Sequence, residues 1–436
     1  MADELAHILI KQYDSLVTQR QTWESHWQEV ADYVVPRKAD VTKNRSPGDK
    51  RSELVFDGTA ILAAELLAAS LHGMLTNGST SWFGLRFSDD ELNGDDEAKE
   101  WLQSVEDVMY QAFNRSNFQE QIAELYLDLV TFGTAVMFVD KDDEQQIRFS
   151  TRHIKECFLS EDDKGRVDTV FRKFKMPARA ALKKFGDEKF NSKILQKANE
   201  NPYEQLTLIH AVYPRDERDI TKATAENKPF ASIYIEPEEK VVLSESGFDE
   251  FCYMAPRFSK SSFELGYGRS PSMTALADIK MLNRMSEVTI RAAQKQVDPP
   301  LLVPDDGFML PVRTVPGGLN FYRSGTRDRI EPLNIGANNP LGLNMEEQRR
   351  KAIRAAFYVD QLILGEGPQM TATEVVQRTE EKMRLLGPLT GRLSQELLQP
   401  LISRVYNILS RQEAFAPAPD FMLNQNLEII YVFFFF

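Results

Sequence analysis

Only two cysteines occur in 436 residues, Cys157 and Cys252, far apart and with no CxxC spacing. That excludes a disulfide framework and a cysteine zinc cluster, and it fits a reducing compartment. Histidine is nearly as scarce: His7, His26, His72, His153 and His210 form no HxxxH or HExxH pair, so no metalloenzyme ligand set is written into the chain. The most apolar stretch, TAILAAELLAASLHGML from Thr59 to Leu75, is broken by Glu65 and His72. It falls short of the roughly 20 uninterrupted residues of a membrane span and reads as a buried helix. The opening MADELAHILIKQYDSL has no basic leader and no apolar run, so it does not read as a signal peptide. A phosphate-binding loop is also missing, because PGDKRS at Pro47 to Ser52 lacks the first glycine and a preceding strand. The acidic runs Asp89 to Glu91, Asp95 to Glu97 and Asp140 to Glu144 lack a calcium-loop glycine and read as solvated turns. No internal repeat and no long low-complexity linker appears.

What is present is an ordinary globular composition, 42% apolar and 27% charged, with a net charge of −13. Such a surface does not grip nucleic acid over its whole extent. The distribution is uneven, however: from Ile279 to Arg354 there are 12 basic residues against 8 acidic ones. One central segment is locally basic.

Apolar spacing predicts a long helix to Pro36, a polar loop from Asp40 to Arg51, and further helices over about 58–75, 95–114 and 117–131. The period then shifts toward two. Ala135 to Val139 and Gln146 to Ser150 form a predicted hairpin, and strand-like runs recur at Val167 to Arg172, Leu206 to Tyr213, Ala231 to Ile235, Val241 to Ser244 and Phe251 to Pro256. A β-rich module over about 134–258 follows, within an α+β chain.

Ser270 and Pro271 then supply an N-cap and a first-turn proline for a helix to about Val297, a rod of roughly 40 Å at ~1.5 Å per residue. Its Lys280, Arg284, Glu287, Arg291 and Lys295 share one face, and Met281, Met285, Val288 and Ala292 form an adjoining apolar seam. The charged line reads either as a surface for a polyanion or as a solvated helix face. Residues 299–342 are rich in proline and glycine, and Asn344 with Glu347 marks the start of a return helix ending near Asp360. In DQLILGEGPQM the glycines and proline stop both flanking helices. Leu362, Ile363 and Leu364 are too apolar for an ordinary exposed turn, so the segment is either a constricting loop or a buried turn. Thr371 and Glu374 form a capping box that opens a long helix.

Four blocks, WESHWQEVADYVVPRK, LVFDGTAILAAELLAASLHGMLTNGSTSWFGL, GYGRSPSMTALADIKMLNRM and QMTATEVVQRTEEKMRLLGPLTGRL, occur in this order. Together they resemble the portal, or head-to-tail connector, proteins of short-tailed bacteriophages, and the resemblance covers nearly the whole chain. It implies an α+β portal fold and a non-enzymatic ring, normally of twelve subunits, at one capsid vertex, with no cofactor and no metal. The implied division is a wing over 1–270, a stem helix over 271–298, a clip over 299–342, a return stem helix over 343–360 and a channel loop over 361–371. A long wing helix over 372–412 and the start of a C-terminal crown over 413–436 complete it.

On this reading Lys280, Arg284, Arg291, Lys295, Arg349, Arg350, Lys351 and Arg354 face double-stranded DNA without reading its sequence. Leu362, Ile363, Leu364, Gly365 and Gly367 form the channel loop, and Thr371 with Glu374 caps a structural spoke. Implied partners are identical copies, the terminase, the major capsid and scaffolding proteins, and tail adaptor or tail tube proteins; no membrane is involved. The site of action is the virion, with assembly in the host cytoplasm. A tail adaptor and, more remotely, a DNA-packaging enzyme are the alternatives. The ending NLEIIYVFFFF departs from the family: Phe433 to Phe436 resemble nothing in it, and a truncated crown is expected in preference to an apolar anchor. If Thr371 is a helix cap, Thr371→Ala removes about 1 kcal/mol and lowers the melting temperature of the assembled protein. An unchanged melting transition would count against the cap.

Overall fold

The computed structural model describes residues 2–302, 331–333, 340–362, 386–419, 422 and 427–431, apart from Pro47, Ile220, Ala223 and Leu265. Helix α1 (Ala2–Val34) runs until Pro36, and its two halves serve different cores. Ala6, Leu9 and Tyr13 cover one face of a sheet, whereas Trp27, Val30, Ala31 and Val34 enter the main core. That core is built on α2 (Thr59–Leu75), α3 (Asp96–Arg115) and α4 (Phe118–Phe132). Between α2 and α3 lies strand β1 (Phe83–Phe87). Asp95 caps α3 by accepting the Glu97 and Ala98 amides at 3.0 Å, so part of that acidic run works as a helix start.

The predicted hairpin forms as β2 (Val136–Asp142) and β3 (Gln146–Arg152), which pair antiparallel. A five-stranded antiparallel sheet follows: β4 (Cys157–Glu161), β5 (Val167–Pro177), β6 (Gln205–Pro214), β7 (Phe230–Glu236) and β8 (Val241–Phe248), each beside the next. The period-two pattern sends Ile209 and Ala211 toward α1 and Leu208 toward Phe174, Phe190 and Ile194 on the other face. Two short helices, α5 (Ala178–Phe185) and α6 (Ser192–Glu200), close that second face. Neither is predicted from the strand-rich pattern, since each is too short to show several helical turns. Strand β9 (Tyr253–Met254) joins the far edge of β2.

Beyond β9, helix α7 (Pro271–Val297), the short pair β10 (Leu301–Leu302) and β11 (Glu331–Pro332), and α8 (Pro340–Ala356) form an outgoing and returning arm. The return differs from the expected 343–360 helix. It already includes residue 340, so Asn344 and Glu347 lie inside it, and it stops at Ala356 because Tyr358 adopts a positive φ of 57°. A four-residue helix α9 (Val359–Leu362) follows.

Residues 386–393 are helical, Ser394–Leu398 is a π turn, and α10 (Gln399–Arg411) continues the same rod. The wide turn has a local cause. Pro400 has no amide to give the Glu396 carbonyl and crowds it, and the Gln399 amide reaches back five residues to Ser394 instead. The chain past Arg411 shows no further helix of its own class among the described residues. Strand β12 (Leu427–Tyr431) instead pairs antiparallel with β1, so 427–431 belongs to the body and not to a crown.

One buried arginine ties these parts together. Arg257, 2% exposed, donates to Glu161, to the Gly165 carbonyl at 2.9 Å and to Glu396 at 2.7 and 3.1 Å, while its own amide donates to Glu396 at 2.9 Å. The sheet, the strand leading to α7 and the π turn therefore meet at a single guanidinium. Removing it leaves the buried Glu161 with only Lys260 and the Gly266 amide, so Arg257→Ala should cost about 3–5 kcal/mol. The denaturant midpoint reads this out, and a loss below about 1 kcal/mol would show that the pair is dispensable.

Candidate nucleic-acid interface

The base of α7 is welded to the end of α4. Ser270 accepts the Met273 amide at 3.0 Å, as an N-cap should, and its hydroxyl also donates to the Thr131 carbonyl at 2.8 Å. Ser272 donates to the Val130 carbonyl at 2.8 Å. Gly133, at φ 78°, closes α4 so near to Gly268 that a Cβ on either would strike the other's carbonyl. A little further along, Asn283 accepts the Phe56 amide at 2.7 Å and donates to the Leu54 carbonyl at 2.6 Å. These contacts aim the first half of α7 through the body.

The core-facing side of α7 is Leu276, Ile279, Leu282, Asn283 and Ser286. At 100° per residue, the expected seam of Met281, Met285, Val288 and Ala292 lies roughly opposite. Met281 is 46% and Val288 53% exposed while Met285 and Ala292 are half-buried, so that seam is apolar and only partly covered within one chain. The periodicity marks the stripe but not what lies against it, because a helix can carry two apolar stripes. From Glu287 to Val297 no residue is buried, and the helix stands out from the body with α8 beside it. The antiparallel arm is held by Thr289 to Glu346 at 2.6 Å and Arg349 to Asp278 at 2.8 Å. Ile353 and Phe357 then sink into the main core.

The basic residues of the arm are largely answered by the chain's own carboxylates. Lys280 pairs with Glu29 at 2.6 Å, and Arg284 and Arg291 bracket Glu287. Arg350 pairs with Asp57 at 3.1 Å and Glu346 at 3.2 Å, and Arg354 with Asp360 at 3.1 Å. The hydrogen bond to Glu29 raises the Lys280 ammonium above its ordinary range. Lys295 and Lys351 are exposed and form no ion pair among the described residues. The expectation of eight equivalent cations is therefore too simple: spacing along a helix reveals Glu287, but not Glu29, Asp57 or Asp278 arriving from elsewhere.

Leu362 ends α9 packed against the main core, which corrects its placement in a channel-exposed loop. Ile363, Leu364, Gly365, Gly367, Thr371 and Glu374 lie outside the described residues. Both cysteines are buried, and burial pushes the Cys157 thiol up to about 12, away from nucleophile chemistry. His210, bonded to Tyr253 and Ser232 and stacked on Tyr234, is held well below its usual range by burial. Among the described residues no group of three or more His, Cys, Asp or Glu is placed to hold a metal, and no helix is long and apolar enough to cross a membrane.

The chain is thus an α+β body with a projecting two-helix arm that carries a basic line and an apolar stripe. The profile of the bacteriophage head to tail connecting protein family matches residues 6–433, and the chain belongs to that family, with the portal fold. It is similar to a probable portal protein of Bordetella phage BPP-1, with 32% identity over 98% of this chain and 78% of the relative. It is also similar to the portal protein of Salmonella phage epsilon15, with 30% identity over 99% and 79%, and to that of Enterobacteria phage T3, with 22% over 94% and 75%.

The pairing pattern separates two kinds of cation on the arm. In filter binding of double-stranded DNA at several salt concentrations, Lys295→Gln with Lys351→Gln should flatten the slope of log K against log salt by about 0.9 for each phosphate left without its lysine. Arg284→Gln with Arg291→Gln should change it less, because Glu287 already offsets one of their two charges. Equal slopes for wild type and the double-lysine variant would show that neither lysine touches DNA.

Proposed function

We propose that this chain assembles as a ring of twelve copies at one capsid vertex, with the α7–α8 arms surrounding a channel for double-stranded DNA. The observation that carries the reading is the apolar stripe of Met281, Met285, Val288 and Ala292, which one chain leaves open at Met281 and Val288. A monomer leaves that apolar surface in water; a neighbour on each side buries it. The curated relatives are portal proteins along nearly the whole of this chain, which supports a structural rather than an enzymatic role.

In this ring, 271–298 and 343–360 serve as the stem, 299–342 as the clip that docks the terminase during packaging and tail adaptor or tail tube proteins afterwards. Residues 1–270 with 372–412 form the wing, which meets the major capsid and scaffolding proteins. Thr371 caps the spoke helix. DNA passes by repeated bands of Lys295 and Lys351, while the acidic remainder of the molecule discourages adhesion. The channel loop starts after Leu362, and Ile363 and Leu364 act as an apolar constriction with Gly365 and Gly367 allowing it to move.

Class-averaged negative-stain images of the purified protein test the assembly: holed rings are expected, and uniform monomers would overturn it. Replacing residues 363–367 by a Gly/Ser linker should give particles that package DNA and then leak it. Rings that retain DNA as the wild type does would remove the constriction.

A further inference from the structure

A cleft of about 800 Å³ opens between the turn joining β4 to β5, the strand entering Arg257, and the helical rod around its π turn. Five cations line it: Lys164, Arg166, Arg257, Lys260 and Arg392. Against them stand only Glu396 in the lining and Glu161 beneath it, which holds Arg257 and Lys260. The nearby Asp162 does not enter the cleft; it accepts its own turn's amides from Lys164 and Arg166 at 2.9 and 2.7 Å and borders a separate, smaller pocket. Lys164 and Arg166 form no ion pair among the described residues. Phe251, Tyr253 and Pro400 give the same cleft an apolar wall. Five cations against two carboxylates, in a chain of net charge −13, make a local excess of positive charge beside apolar surface. The chemistry that fits is a carboxylate-rich peptide; a DNA duplex is too wide to enter.

A closed ring is head-to-tail, so each copy must present two different and complementary surfaces. The chain carries the counterpart itself. Asp89, Asp90 and Glu91 between β1 and α3, and Asp96 and Glu97 in the first turn of α3, are exposed, and among the described residues the one ion pair these five make is Asp96 with Lys99 at 3.3 Å. Leu92 of the same loop is packed against the chain's own core, so what the loop offers a neighbour is its carboxylates. We propose that the cleft of one copy is the socket for loop 88–97 of its neighbour. This rests on the ring assembly proposed above. It adds a specific electrostatic contact in the wing, distinct from the apolar contact along the arms.

Zero-length carbodiimide cross-linking of the assembled wild-type protein, read by peptide mass spectrometry, tests the contact. Cross-links from Lys164 to Asp89, Asp90 or Glu91 between copies are expected. Rings in which Lys164 cross-links elsewhere, for example to Asp143 or Glu144, or to nothing, would overturn this assignment alone. Monomeric wild type would instead overturn the ring. Charge reversal gives a second reading that leaves Arg257 untouched. Lys164→Glu with Arg166→Glu should lower ring yield at least tenfold at unchanged subunit melting temperature, as should Asp89→Lys with Asp90→Lys. Combining all four in one chain should restore rings; full yield from the cleft reversal, or failure of the combined chain, would sink the socket. Excess 20-base-pair duplex should leave the cross-link unchanged, and its loss would point to a nucleic-acid site instead.

Discussion

Arg257 carries a full positive charge into a place with almost no water, and three otherwise separate parts of the molecule are arranged to make that tolerable. An isolated buried cation is costly by several kcal/mol, so its donors must all be met at once. Glu161 comes from β4, the Gly165 carbonyl from the following turn, and Glu396 from the π turn. The close backbone approach of Gly133 and Gly268 happens beside it, and the Arg257 side chain is one reason that Gly268 has no Cβ. Whatever holds this cluster also holds the start of α7, and through it the arm.

The same cluster gives a reason for the wide turn in the final rod. A regular α-helix cannot accommodate Pro400 without disturbing the Glu396 carbonyl, and the extra residue in the turn relieves that conflict. Further down, Arg404 and Arg411 grip Glu250, so the rod is clamped to the sheet region at two places about two helical turns apart. The guanidinium hydrogen bonds hold the Glu250 carboxyl below its usual range despite its partial burial. A carboxylate with a depressed pKa contributes stability above its unfolded value and loses that contribution as pH falls through the folded one, so acid loosens this second clamp as Glu250 takes up its proton.

On the arm, most of the cations are paired and only a few are open. Near the body, Lys280, Arg349 and Arg350 are paired with Glu29, Asp278 and Asp57, and they fasten the helices to their surroundings. Pairs at or just below the surface contribute little each, but they settle which cations remain available. Lys295, farther out on α7, and Lys351, beside Arg350 on the returning helix, form no ion pair among the described residues. The apolar stripe follows the opposite logic: Met281 and Val288 stand exposed on the single chain, and in the proposed ring this is where copies would meet.

Local chemistry made the long elements legible. The Ser270–Pro271 start of α7 depends on neighbouring residues alone, as do the helical spacing of α1 to α4 and the alternation in β2, β3 and β5 to β8, and all of these were readable from the chain. The four separated blocks also carried enough specificity to mark the family before any coordinates. What stayed hidden depends on residues distant in sequence. Strand β12 finds β1 across more than 300 positions, α8 ends where Tyr358 turns left-handed, and Gly133 and Gly268 matter because their backbones touch. The partners of the basic stripe were hidden for the same reason, and so was the cationic cleft, whose walls come from three stretches of chain. Short-range periodicity determined which faces are apolar and which are charged. Only the tertiary structure decided which of those faces are covered, because burial and neutralisation depend on long-range contacts that no local pattern encodes.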